Sequence, residues 1–443
     1  MSRLNCERQT VTAGASAVPL LIETSRALPL VNVTVALRSG SVLDPKGSDG
    51  LCRLAARLMR RTGGGVEPQV LDARIDGLGG SFGVDVSHST VAFQATVIAR
   101  SFESFIDLME DVLARPGLDS EELERLKRET ESELIDTLDN DRALVRRWFR
   151  RQLFGGHPYS RGVQGTIGTI RSANAEGVSQ LLRRMIVRDN VVFAFAGDVD
   201  STLAAKAAIR IIGALSPGAA PPDLTPEPPS LPGRRLVVVD KPERTQTQIL
   251  IGGLGTHPRD PDHIALHVAS TILGGTFTAR LMREIRSERG WSYGAYSSLP
   301  FDRHRQAFSL WTFPKSEDAA ACIRLELDML ASWIRDGVTE EELTWAKRYL
   351  VRSHAFALDT AQKRVSLLLD EVVYDLPPGY HEHYCDAVME VTLEQANAAV
   401  ARRISSEDLL VTVVGTQSQV GAALRESVAG LASYEVVPFD RDG

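Results

Sequence analysis

Arg286 and Tyr293 are the residues whose types and spacing most directly suggest joint chemistry. They lie seven positions apart in LGGTFTARLMREIRSERGWSYGAYSS, residues 273–298. Thr278 to Arg289 is helical by composition, and Gly290 is a natural helix stop. WSYGAYSS then reads as a strand with Trp291, Tyr293 and Ala295 on one face. The chain reverses at Gly290, so a side chain on the last helical turn and one on the new strand can point into the same space. A phenolic hydroxyl and a fixed guanidinium are both donors, suited to an oxygen that is gaining negative charge.

Other chemistry-bearing residues are weaker. His263 and His267 stand i, i+4 in DHIALHVAS, a spacing that can hold zinc, but no carboxylate lies between them. They read as a packed or surface pair, as do His381 and His383 in YHEHY. Cys6, Cys52, Cys322 and Cys385 are far apart with no Cys-x-x-Cys, which argues against a disulfide framework or a structural zinc site. GGTFT at Gly274 lacks the lysine of a phosphate-binding loop. In RALVRRWFRRQLF (142–154) the apolar positions Leu144, Val145, Trp148, Phe149 and Leu153 mark one helical face with arginines opposite. That pattern predicts a half-buried helix rather than a nucleic-acid surface, and the net charge of −7 gives nucleic acid no support.

The elements that must position these residues are repeated. The chain has 443 residues, 43 % hydrophobic and 24 % charged, which predicts two to four ordinary globular domains. Residues 217–233, PGAAPPDLTPEPPSLPG, hold seven prolines and read as a stiff linker between halves 1–216 and 234–443. GLDSEELERLKR (117–128) corresponds to GVTEEELTWAKR (337–348) at an offset of 220, each a helix start capped by Asp119 or Thr339. RDNVVFAFAGDVD corresponds to SEDLLVTVVGTQS, with Gly197 and Gly415 an offset of 218 apart. VNVTVALRSGS and TQILIGGLGTH both read as a strand running into a Gly-rich turn. Order kept at a near-constant offset indicates two homologous halves. Each half reads as strand, helix, strands, long helix, helices, strand: an α+β class with a mixed or antiparallel sheet covered by helices. Val91–Ile98 alternates as a half-buried strand, and 120–154 reads as long helix interrupted near 139–141.

Two segments carry a resemblance to a known family. The helix following GSVLDPKGSDG, and the segment bearing Arg286 and Tyr293, resemble the pitrilysin/insulinase metallopeptidases, whose inverted zinc motif is His-x-x-Glu-His. The resemblance spans nearly the whole chain, including the duplication, and implies that the halves close into a clam-like shell around a peptide chamber. Here the five motif positions are Arg53, Leu54, Ala55, Ala56 and Arg57, so both histidines are arginines and the glutamate is alanine. Guanidinium has no lone pair to offer and repels a cation, and Ala56 cannot take a proton from a water. Glu133, 76 residues after Arg57, matches the family's remaining ligand and is expected to pair with Arg53 or Arg57 instead. Arg286 and Tyr293 match the arginine and tyrosine that the family places at the substrate carbonyl. Gly79, Gly80, Ser81 and Phe82 match its Gly-rich edge, which receives a peptide as an added strand.

The resemblance thus implies the oxyanion side of a peptidase site without its metal side. The expectation is a non-catalytic subunit, holding no cofactor itself, of a heterodimer or a dimer of heterodimers. A homologous subunit with the intact motif would supply the zinc, and a peptide would be the substrate. Two other readings stay open: a structural core-type subunit of a larger assembly, and an autonomous hydrolase with a metal at His263 and His267. The N-terminus has no basic start followed by an apolar stretch, so no secretory signal is read, and the cytoplasm is expected with the periplasm as the alternative. No apolar run approaches the eighteen or so residues that a membrane span needs.

Overall fold

The computed structural model describes residues 6–442. Met1–Asn5, the start of the segment read as lacking a signal, lie outside them. The strands are β1 (Glu7–Ala13), β2 (Ser16–Thr24), β3 (Leu30–Leu37), β4 (Ser81–Val86), β5 (Val91–Ile98) and β6 (Val191–Gly197). They continue with β7 (Arg234–Asp240), β8 (Gln248–Leu254), β9 (Ala295–Ser298), β10 (Ala307–Thr312), β11 (Leu410–Gly415) and β12 (Leu431–Pro438). They form two six-stranded mixed sheets, ordered β1-β2-β6-β3-β5-β4 and β12-β7-β11-β8-β10-β9. Five positions correspond one to one across the repeat, with β6 matching β11 and β3 matching β8 as the offsets predict. The sixth differs. β1 reaches its edge through a hairpin and runs antiparallel to β2, whereas β12 arrives from the chain's end and runs parallel to β7.

The compact units do not follow chain order. The first comprises residues up to Leu134, Gly162–Leu224 and His354–Glu382; the second comprises Ile135–Arg161, Thr225–Ser353 and His383 onward. Apolar helix faces explain the difference from contiguous halves. The helix Ala361–Val373 buries Ala361, Val365, Leu368, Leu369 and Val373 with Leu21, Ala36, Val192, Ala194 and Ala196 of the first sheet. The helix Asp141–Phe154 packs on β8 and β11, burying the predicted stripe of Leu144, Val145, Trp148, Phe149 and Leu153. Each sheet therefore has a second face covered by a helix encoded in the opposite half of the sequence. Burying a large aliphatic or aromatic side chain is worth about 1.5–3 kcal/mol, which makes each docking a substantial part of its unit. Residues 217–232 form no helix or strand.

The opposite faces hold the main cores. In the first unit, Val31, Val33, Val35 and Phe93 meet Leu54, Leu58 and Met59 of the helix Leu51–Thr62. In the second, Ile249, Ile251, Phe308 and Leu310 meet Leu266 and Leu273 of the helix His263–Gly274. The segment 120–154 is two helices, Ser120–Thr137 and Asp141–Phe154, parted where the sequence predicts. Asp119 accepts from the Glu122 amide at 2.8 Å, and Thr339 and Glu342 form the reciprocal cap of the repeated helix.

Candidate functional site

The helix Leu51–Thr62 begins where Asp44 accepts from the Gly50 and Cys52 amides at 2.8 and 2.7 Å. That buried carboxylate satisfies orphan donors of the first turn and favours the positive end of the helix dipole. It sets the rotation of the helix, which buries Ala56 (3 % exposed) and leaves Arg53 and Arg57, beside it on the same side of the helix, half-buried. Both guanidiniums meet Glu133 of the helix Ser120–Thr137. Arg53 Nη2 donates to Oε2 at 2.9 Å, and Arg57 donates to Oε2 at 3.1 Å and to Oε1 at 2.9 Å. Where the sequence left one arginine or the other open, the carboxylate takes both. Burial acts to raise the Glu133 carboxyl, but the two guanidiniums outweigh it and hold it below the usual carboxylate range.

The pairing extends along the helices. Arg61 pairs with Glu129 and lies 3.7 Å from Glu122, so residues 53, 57 and 61 form one stripe facing 133, 129 and 122. Arg57 also donates to Thr130 Oγ1 at 3.3 Å. The i, i+4 spacing of Arg53, Arg57 and Arg61, set against Glu129 and Glu133, is a sequence signal that could have shown the whole ladder. The arginines, with Asp72, Val84, Asp85 and Val86, line a cleft of about 450 Å³. No group of three histidine, cysteine, aspartate or glutamate residues suited to a metal occurs among the described residues. At the motif itself the donor set does not fit zinc: two permanent cations and a methyl group replace two imidazoles and a carboxylate.

Beside this cleft, β4 is an edge strand, hydrogen-bonded only to β5 among the described strands. It begins at Ser81, so Gly79 and Gly80 form the turn before it rather than the edge itself. Phe82 turns its ring inward, 5.8 Å from the Phe105 ring, and its carbonyl accepts from Arg60 Nε at 2.8 Å. One acceptor that an added peptide strand would use is therefore already engaged.

The second unit holds Arg286 and Tyr293. The helix carrying Arg286 is real but wider than expected, with π-type turns over Met282–Glu288. Gly290 ends it at φ +65°, a conformation only glycine adopts without strain. The strand starts later than its alternation suggests: β9 is Ala295–Ser298, and Trp291–Gly294 is an irregular corner. The cause lies in Ser292. Its hydroxyl donates to the Gly294 carbonyl at 2.8 Å and accepts from the Phe313 amide at 3.2 Å, bonds that bend the backbone out of the sheet.

This corner leaves Tyr293 78 % exposed. Arg286 Nη1 donates to the Tyr293 carbonyl at 3.3 Å, which brings the two residues together through the backbone. The guanidinium also lies 4.4 Å above the ring of Phe277, itself 63 % exposed. Phe277 escaped the sequence reading, because contact across the Gly-rich turn has no periodic signature.

His263 and His267 take separate partners. His263 Nδ1 is 2.9 Å from Thr256 Oγ1, and His267 Nε2 is 3.0 Å from Tyr384 Oη. Burial lowers them to about 3 and about 4, so both are neutral packed rings. His381 is buried and lowered to about 4 by burial above all, while His383 is exposed.

Residues 20–167 match the insulinase (peptidase family M16) family, and residues 172–350 match the peptidase M16 inactive domain. An uncharacterized zinc protease of Mycobacterium leprae is 30 % identical over 332 residues, covering 73 % of each chain. This chain belongs to the M16 peptidase family. Within it, a non-peptidase homolog of Helicobacter pylori is 21 % identical over 410 residues, covering 91 % of this chain and 93 % of that one. The M16 architecture is also seen in the crystal structure of a peptidase M16 inactive domain from Pseudomonas fluorescens. That structure superposes with a TM-score of 0.85 at 24 % identity, over 93 % of this chain and 98 % of that one. No helix among the described residues is long and apolar enough to cross a membrane.

Proposed function

We propose that this chain is the zinc-less subunit of a heterodimeric M16 metalloendopeptidase. It lends Arg286 and Tyr293 to a peptide held at the zinc site of a homologous subunit. The observation that carries this reading is the contrast between the two units. In the first, the motif positions are occupied by guanidiniums locked onto Glu133. In the second, Tyr293 and Arg286 form a solvent-facing pair of donors tied to one backbone corner. An exposed tyrosine has little packing value of its own, so its presentation favours a ligand-facing role. The phenol would donate to a peptide carbonyl oxygen as it gains charge, and the guanidinium would hold a neighbouring carbonyl. The names borne by relatives, zinc protease in one case and non-peptidase homolog in another, fit a family in which the metal can be lost from one partner.

The test is to express the chain alone and together with a homologous subunit carrying His-x-x-Glu-His. Expected is a stable complex with zinc only in the partner, and peptide hydrolysis only by the complex. Co-purification with a larger assembly instead, without hydrolysis, would favour the structural-subunit reading.

A further inference from the structure

Beside Tyr293 the second unit carries a feature that an oxyanion role leaves unused. Tyr296 of β9 and Trp311 of β10 are register partners, and their rings stack with centroids 5.9 Å apart and planes 17° apart. Phe313 joins them 4.8 Å from Trp311. The Arg142 guanidinium lies 3.8 Å over the indole, whose Nε1–H donates to Gln248 Oε1 at 3.0 Å. Along β10, Phe308, Leu310 and Thr312 are buried while Ala307, Ser309 and Trp311 are half-buried. Trp311 therefore stands on the face opposite Phe308 and Leu310, Tyr296 also touches the rim of the main core, and all three rings are partly exposed.

It is also fastened to the Tyr293 corner. Ser292, on one side of Tyr293, bonds the Phe313 amide. Gly294, on the other side, has no room for a side chain: a Cβ there would fall 2.6 Å from Tyr296 Cε2 and 2.9 Å from Phe313 Cε1. The rings press against the backbone that presents Tyr293. Finally, β9 is the edge of its sheet, paired only with β10 among the described strands. A peptide running beside β9 would place an alternate side chain next to Tyr296, at roughly the 4.5–5.5 Å spacing of cross-strand neighbours, with Trp311 stacked behind Tyr296 one strand further in.

We propose that Tyr296, Trp311 and Phe313, with Arg142 laid over the indole, form a side-chain subsite beside Tyr293 that takes an aromatic or bulky apolar residue of a bound peptide. The proposal deepens the peptidase-subunit reading and rests on it for the peptide. Arg142 fixes the indole from above, so the platform is ordered before a ligand arrives. Aromatic pairing of this kind gives about 2- to 10-fold in affinity over an alanine at the same position.

The experiment titrates the full chain with two fluorescein-labelled, capped pentapeptides of alanine, one with a central phenylalanine, and reads anisotropy. The phenylalanine peptide should bind tighter by that factor. Trp311→Leu should abolish the difference while leaving the unfolding curve near that of the parent. Phe313→Leu serves as the second variant should Trp311→Leu fail to fold. Equal binding of the two peptides, no binding of either, or a preference that survives in the folded variants would overturn the subsite. Hydrolysis by the complex with the zinc-bearing homologue is scored separately. Hydrolysis without a side-chain preference removes the subsite alone, whereas a preference without hydrolysis removes the subunit reading alone.

Discussion

Glu133→Gln removes one negative charge and little else, and its effect can be worked out from three contacts. The carboxylate receives one guanidinium bond from Arg53 and two from Arg57, at 2.9–3.1 Å. Were the group fully buried, stranding its partners would cost about 3–5 kcal/mol; an exposed pair is worth about 0–1. Glu133 is 38 % exposed and its arginines 23 % and 21 %, so solvent screening discounts the larger figure heavily. About 1–2 kcal/mol of destabilisation at neutral pH and low salt is the expected result. Denaturant unfolding of both proteins measures it. Two signatures separate this from generic damage. The difference should shrink in 1 M salt, where the screening length falls to about 3 Å. It should also vanish in acid. The Glu133 carboxyl is lowered in the folded chain, so its stabilisation is present above the unfolded value near 4.3 and is lost as pH falls through the folded one. A variant as stable as the parent at pH 7 in low salt would refute the clamp.

Further expectations concern the metal site and the cores. Arg53→His, Ala56→Glu and Arg57→His together should restore one equivalent of bound zinc. An imidazole nitrogen holds zinc about 2 Å beyond its ring, where the longer arginines now carry their own nitrogens. Adding Glu133→Gln should lose the zinc again; metal analysis reads both, and a folded triple variant without zinc contradicts the correspondence. Glu326 is wholly buried and accepts from Thr312 and Cys322, and burial pushes its carboxyl up to about 8. A carboxyl raised on folding contributes most below its unfolded value and progressively destabilises as pH rises toward 8, by about 3 kcal/mol at pH 7. Unfolding measured from pH 5 to 9 should show that slope, and Glu326→Gln should flatten it. His263 and His267 carry the opposite sign, since each is lowered by burial. Stability should fall as pH drops below 6.5, by about 2 kcal/mol for each ring at pH 5, and His267→Gln should remove its share.

The repeat made much of the fold legible, because equal offsets between Gly197 and Gly415, or between the capped helices at Asp119 and Thr339, survive as equal positions in two sheets. Periodicity also identified the buried stripe of 144–153. It could not say which sheet that stripe would cover, since an amphipathic face specifies apolar surface and not its address. Hence the exchange of the helices Asp141–Phe154 and Ala361–Val373 came only with the structure. At the site, residue chemistry alone shows that Arg53 and Arg57 cannot hold a cation. The corner at 291–294 departs from the strand that its alternation predicts, because the pattern of Trp291, Tyr293 and Ala295 carries no trace of the Ser292 hydrogen bonds that break it. Phe277 and the Arg142–Trp311 contact join residues far apart in the sequence or across a turn, where no spacing rule applies.

The proposed division of labour between this chain and a zinc-bearing homologue can be decided by titrating this chain into a fixed amount of such a homologue and following peptide hydrolysis. The rate should rise from a negligible baseline to a plateau at one chain per partner. Tyr293→Phe should saturate at the same ratio but at a plateau about 10²–10³ lower. A full plateau with Tyr293→Phe, or chelator-sensitive hydrolysis by this chain with no partner present, would contradict it.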